Sequence, residues 1–307
     1  MNKISRLWAL VITISVLALG AVVANSNSPS SAEGGCAGKA YVTNANAGTV
    51  SVIDTATNTV SATVAVGSGL RGIAITPDGT KAYVANANAD TVSVIDTATN
   101  TVSATVAVGS VPFGIAITPD GTKAYVANQN ANTVSVIDTA TNTVSATVAV
   151  GSVPRGIAIT PDGTKAYVTN ANAGTVSVID TATNTVSATV AVGNQPFGVA
   201  ITPDGTKAYV ANQNANTVSV IDTATNTVSA TIAVGGDPFG VAITPDGTKA
   251  YVANQNAGTV SVIDTATNTV SATVAVGSVP VGIAICPAAV VPPTTPTDPA
   301  VVLKFTG

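Results

Sequence analysis

The chain has 307 residues and a net charge of −4, with 46% apolar but only 8% charged residues and no histidine. Eleven scattered basic residues leave no electrostatic footprint for nucleic acid and no polybasic segment for an anionic membrane surface. The apolar fraction is dominated by Val, Ala and Ile, which together with abundant Thr favours strands and excludes global disorder.

In chain order, Lys3 and Arg6 precede an apolar run from Leu7 to Ala24 that ends "AVVA" before "NSNSPSS". This is the pattern of a secretory signal peptide over residues 1–24, or of an N-terminal anchor if the segment is retained. Either way the rest of the chain is sent out of the cytoplasm. The expected location is secreted or cell-surface, and periplasmic in a host with two membranes. Cleavage would leave a mature chain with no segment that inserts in a membrane. Residues 25–38 read as a polar linker that carries Cys36.

From Lys39 to Cys286 the sequence repeats. Tyr41, Tyr83, Tyr125, Tyr167, Tyr209 and Tyr251 are each 42 residues apart. Each full copy contains four alternating apolar runs, in the second copy Gly72–Thr76, Lys81–Asn86, Thr91–Asp96 and Thr101–Val108. Short connections join them: "PDGT", "ANAD" and "TATN". In "PDG", Pro presets φ and Gly accepts a positive φ, so the unit is a meander of four antiparallel strands. One such meander cannot bury both faces by itself, whereas a radial array covers each sheet with two neighbours. The expected fold is therefore all-β, a six-bladed β-propeller over residues 39–286. A parallel β-helix fits less well, because its coils are shorter and lack hairpins.

The ends of the array predict how it closes. The first copy lacks a "GIAIT" strand, and the last is followed by a spare "GIAIC" at Gly282–Cys286. Pairing of the N- and C-terminal strands in one sheet completes the sixth blade and leaves no free edge. Cys286 stands where other copies have the Thr of "GIAIT", and Cys36 where they have the Asp of "PDGT". A disulfide between them replaces the missing hairpin, as expected for two cysteines in an exported chain.

The motifs "AYVTN" at Ala40–Asn44 and Ala166–Asn170, "TVSVIDTATNTV" and "GIAITPDGTKAYV" resemble the YVTN β-propeller repeat family of surface-layer and secreted proteins. The resemblance covers Lys39 to Cys286. It implies that "GIAIT" is the innermost strand of each blade and "TVSATVAV" the outermost. Well-known surface-layer members have seven blades, so this six-copy chain departs from them.

Without histidine, imidazole ligation and Ser-His or Cys-His nucleophile pairs are excluded. Asp54, Asp78 and their equivalents read as turn caps, and Lys81 and its equivalents as solvated neighbours of those turns. No catalytic residue, metal site or cofactor is expected. Variation between copies is confined to two connections that emerge on one face of the disc. The residue before each inner-strand Gly forms a candidate binding ring at the channel mouth: Arg71, Phe113, Arg155, Phe197, Phe239 and Val281. The same six residues also fit a purely structural role, capping the inner strands and plugging the channel. Residues 287–307 form a Pro/Thr-rich tail. These features lead to the expectation of a non-enzymatic surface or extracellular protein whose rigid disc binds an extracellular protein, a peptide or an envelope polymer. The alternative is an extracellular, lactonase-like hydrolase or small-molecule binder that uses the channel mouth.

Overall fold

The computed structural model describes residues 38–285. The apolar segment 7–24, both cysteines and the tail 287–307 lie outside those residues. Blade 1 contains β1 (Lys39–Asn44), β2 (Thr49–Asp54) and β3 (Thr59–Ala65). Blade 2 contains β4 (Leu70–Ile75), β5 (Lys81–Asn86), β6 (Thr91–Asp96) and β7 (Thr101–Ala107) in that spatial order. Four further four-stranded antiparallel sheets repeat this pattern: blade 3 (112–149), blade 4 (154–191), blade 5 (196–233) and blade 6 (238–275).

Burial follows strand position. In blade 2, β5 and β6 are buried along most of their length, while β7 keeps a single buried residue, Val106. A strand covered on both faces by other sheets reads as a continuous apolar run, and here small β-branched residues fill the narrow gap between blades. The largest fully buried side chains are the tyrosines at positions 83, 125, 167 and 209.

Each of these tyrosines ties its blade to the next. Tyr83 Oη donates to Asn142 Oδ1 at 2.8 Å, and Tyr167 Oη to Asn226 Oδ1 at 2.8 Å. Burial pushes these four phenols up to about 12. The lysine beside each tyrosine makes a second tie. Lys81 Nζ donates to the Thr139 carbonyl at 2.6 Å, and Lys123, Lys165 and Lys207 repeat the bond. These lysines are therefore half-buried and bonded, not freely solvated as the sequence suggested. An ammonium on a long stem reaches a turn carbonyl of the neighbouring blade, which also accepts from the tyrosine hydroxyl.

The aspartates are turn caps. Asp54 Oδ1 accepts from the backbone N–H groups of Ala56 and Thr57, which hold its carboxyl below the usual carboxylate range. Asp120 is lowered chiefly by the Thr118 hydroxyl.

The last Asn of each "YVAN" or "YVTN" strand has a packing role. Asn86 Nδ2 donates to Thr91 Oγ1 and Ser93 Oγ, and its amide lies so close over Gly67 that a Cβ there would sit 2.7 Å away. The pairing of this Asn with the Gly of "AVG" thus reflects a close approach between consecutive blades.

Between blade 6 and blade 1 the packing differs. Val274 in the outer strand of blade 6 is 47% exposed, whereas its equivalents Val64, Val106, Val148 and Val190 are 5% exposed. Val42 in β1 is 41% exposed against 0% for Val84. Blade 1 has three strands among the described residues. The segment 281–285, expected as its fourth, reaches the central cavity without forming a ladder with β1.

Candidate functional site

The six candidate ring residues follow a shared local irregularity. In blade 2, Leu70 pairs with Asn86 and Ile73 with Val84, so one extra residue is accommodated and Arg71 and Gly72 fall in a bulge. Blades 3 to 6 repeat the shift after Pro112, Pro154, Pro196 and Pro238. A bulge bends its strand and re-aims the side chain, here at the entrance of each inner strand.

The approach to the bulge is strained. Val111 and Val153 precede their prolines with φ of 54° and 58°, a region that β-branched residues rarely adopt. Side chains of the other variable connection hold them there. The Val111 N–H donates to Asp90 Oδ1 at 2.8 Å, and the Val153 N–H to Asn132 Oδ1 at 2.9 Å. Both variable connections therefore meet on one face, as the alternation of hairpins required.

The glycine after each ring residue sets the diameter of the opening. A Cβ on Gly72 would sit 2.6 Å from the Phe113 carbonyl oxygen. Gly114, Gly156, Gly198 and Gly240 are closed off in the same way by the next blade's backbone. Only glycine lets the inner strands approach this closely.

Phe113, Phe197 and Phe239 are buried together in one apolar cluster, with Val281 packed against it. Phe113 and Phe197 meet edge-to-face, with centroids 5.5 Å apart and planes at 75°. Arg155 lies over Phe197 with its Cζ 4.7 Å from the ring centroid, and is 5.7 Å from that of Phe113. Arg71 Cζ lies 5.5 Å from the Phe113 centroid. Both guanidiniums are therefore within cation–π reach of one aromatic ring.

Neither arginine is neutralised. The Nε atoms of Arg71 and Arg155 are buried without a hydrogen-bond partner, and among the described residues no carboxylate pairs with either. Burial, and secondarily the charge of Arg71, pull Arg155 below the usual guanidinium range.

These residues surround a central cavity of about 80 Å³. Phe113, Arg155, Phe197, Phe239 and Val281 line it, above a second layer that includes Ile73, Ile115, Ile157 and Val199. Arg71, 5.5 Å from the Phe113 centroid, is not part of the lining. Five of the six residues picked from the sequence are therefore brought together around one space. The bulge, the glycine collar and the strained valines escaped the sequence reading. The signal available for them was the unvarying Gly after each variable residue.

Two family models match the chain. One describes a seven-bladed β-propeller lactonase and matches residues 138–288; the other, a YNCE-like β-propeller, matches residues 4–130. The fold is a β-propeller. Among solved structures, hydrazine synthase of Kuenenia stuttgartiensis is similar with a TM-score of 0.75 and 23% identity, over 91% of this chain and 92% of that one. A functionally unknown protein from Desulfotomaculum acetoxidans is similar with a TM-score of 0.70 and 23% identity, over 83% of this chain and 88% of that one. At that identity the likeness shows the fold alone. No curated protein matches in sequence.

These findings correct the functional expectation. The sequence reading favoured a non-enzymatic display disc of surface-layer type. The matching families are instead lactonase-like and YNCE-like propellers, which favours the hydrolase or small-molecule alternative. That expectation rested on the absence of histidine and on carboxylates that recur at turn positions. Motif repetition reports how blades pack, whereas activity resides in the few positions that break the repeat.

Proposed function

We propose that the protein is a lactonase-like β-propeller that takes a small molecule at the mouth of its central channel. The observation that carries this reading is a partly buried guanidinium, Arg155, whose Nε has no hydrogen-bond partner and which faces a cavity whose other lining side chains are apolar. A guanidinium in such a place polarises a lactone carbonyl and stabilises the oxyanion that forms when water attacks it, because the low-dielectric wall strengthens each N–H···O⁻ contact. Among the described residues, no carboxylate or imidazole lines the cavity to take a proton from that water. The site therefore supplies electrostatic stabilisation and orientation, and turnover is expected to be slow.

The test is a pH-indicator assay of the purified protein against a panel of five- and six-membered lactones. Lactone opening above the uncatalysed rate is expected, reduced at least tenfold by Arg155→Val, which installs the residue that this ring carries at position 281. A protein that neither binds nor opens any lactone in the panel contradicts the reading.

Completion of the ring belongs to the same proposal. The missing fourth strand of blade 1 is the Gly282–Cys286 segment, and a Cys36–Cys286 disulfide locks it. The spare strand and the uncovered faces at Val42 and Val274 support this closure. The finer kinship with YVTN repeats rests on the "AYVTN" and "TVSVIDTATNTV" motifs.

A further inference from the structure

The cavity carries information about the ligand itself. Its lining is one guanidinium, three phenylalanines, aliphatic Val and Ile side chains, and glycine backbone. Among the described residues, no Ser, Thr, Asn, Gln, Asp, Glu or Lys contributes to it. A ligand bearing several hydroxyls, such as a sugar acid or sugar lactone, would leave most of them without side-chain partners, and each buried unpaired polar group is costly. An anionic head group, in contrast, meets a positive charge at Arg155 that no described carboxylate pairs with, and the charge of Arg71 beside Phe113 adds to the field.

We infer that the ligand is a small organic monocarboxylate with an unsubstituted apolar body, the carboxylate on Arg155 and the body against Phe197, Phe239 and the aliphatic layer below. The inference rests on the channel-mouth reading and deepens it by naming the chemical class. It shares its head group with the chemistry of that reading, since lactone opening leaves a carboxylate, together with a single hydroxyl at the far end of the chain. A cavity of about 80 Å³ is smaller than the roughly 150 Å³ that encloses a benzene, so it takes only part of a short carbon chain and excludes bulky ligands. Cation–π contacts to Phe113 and Phe197 hold the guanidinium plane in place, so the anion meets a pre-oriented partner.

Three six-carbon probes separate the components. Hexanoate has the charge and the apolar body, hexanamide has the body without the charge, and gluconate has the charge with a hydroxylated body. Inorganic phosphate supplies charge alone. Isothermal titration is expected to show hexanoate binding at least tenfold more tightly than each of the other three. Arg155→Val and Arg71→Phe borrow residues that other ring positions carry, so the fold tolerates them. The first should weaken hexanoate at least tenfold, and the second by a smaller factor. Equal binding of hexanamide removes the role of charge, and equal binding of gluconate or phosphate removes that of the apolar body. Absence of hexanoate binding, or hexanoate binding unaffected by Arg155→Val, also overturns the inference. The lactone assay is a separate readout. Hexanoate binding without lactone opening sinks catalysis and leaves the ligand class standing. Opening of sugar lactones without hexanoate binding sinks the ligand class and leaves catalysis standing.

Discussion

Tyr167→Ala is expected to destabilise the propeller by about 3–5 kcal/mol, the range for removing a large aromatic from a packed core. Tyr167 is fully buried between blades 4 and 5, and its hydroxyl donates to Asn226 Oδ1 at 2.8 Å. Truncation removes both the packing and the bond, and leaves the Asn226 acceptor without its phenol partner. Tyr167→Phe isolates the second component and should cost on the order of 1–2 kcal/mol. Chemical denaturation of the two variants measures the difference. Equal midpoints for Ala and Phe would show that the blade contact rests on the hydrogen bond and not on the buried ring. The same logic applies to Tyr83, Tyr125 and Tyr209. Tyr251 is set apart, because its position at the seam leaves it partly exposed.

Reduction of the proposed Cys36–Cys286 bond is expected to lower the melting temperature substantially without abolishing the fold. Closing a loop of roughly 250 residues contributes about 5 kcal/mol in the chain-entropy view, less whatever strain the bond carries. Five blade-to-blade interfaces lie inside the chain and survive reduction, whereas the proposed sixth depends on the C-terminal segment. Opening the seam should return Val274 and Val42 to solvent, as at their 47% and 41% exposures here. Differential scanning calorimetry with and without a reductant, alongside the Cys36→Ser/Cys286→Ser variant, gives the measurement. Free thiols on both residues in exported protein, or an unchanged melting temperature in the double variant, would contradict a sealing role.

The repeat made most of the fold legible. A 42-residue period with four alternating runs and "PDG" turns has few packed solutions, and the strands fall where the alternation put them. The turn role of the aspartates was readable for the same reason, since Asp two or three residues before free N–H groups is a local motif. The reach of Lys81 to Thr139 was not, because it depends on how far one blade lies from the next. Local pattern does not encode that distance. For the site, the ring residues could be picked because they break the repeat. Their inward aim comes from the bulge between Leu70 and Ile73, and a register shift leaves no signature in hydrophobic alternation. The functional class was misjudged because the departures from symmetry are few and chemically sparse, a single lining arginine among apolar side chains.

Placing the ligand site at the channel mouth is the central claim, and a two-dimensional NMR titration tests it most directly. With amide-labelled protein and hexanoate or a six-membered lactone as ligand, shift changes should be confined to the inner collar. The Gly114, Gly156 and Gly198 amides should move most, together with the Arg155 Nε–H signal and the Phe113 and Phe197 amides. Perturbations centred instead on the "PDGT" turns or on the outer strands, with the collar silent, would contradict the claim and leave the ring as packing.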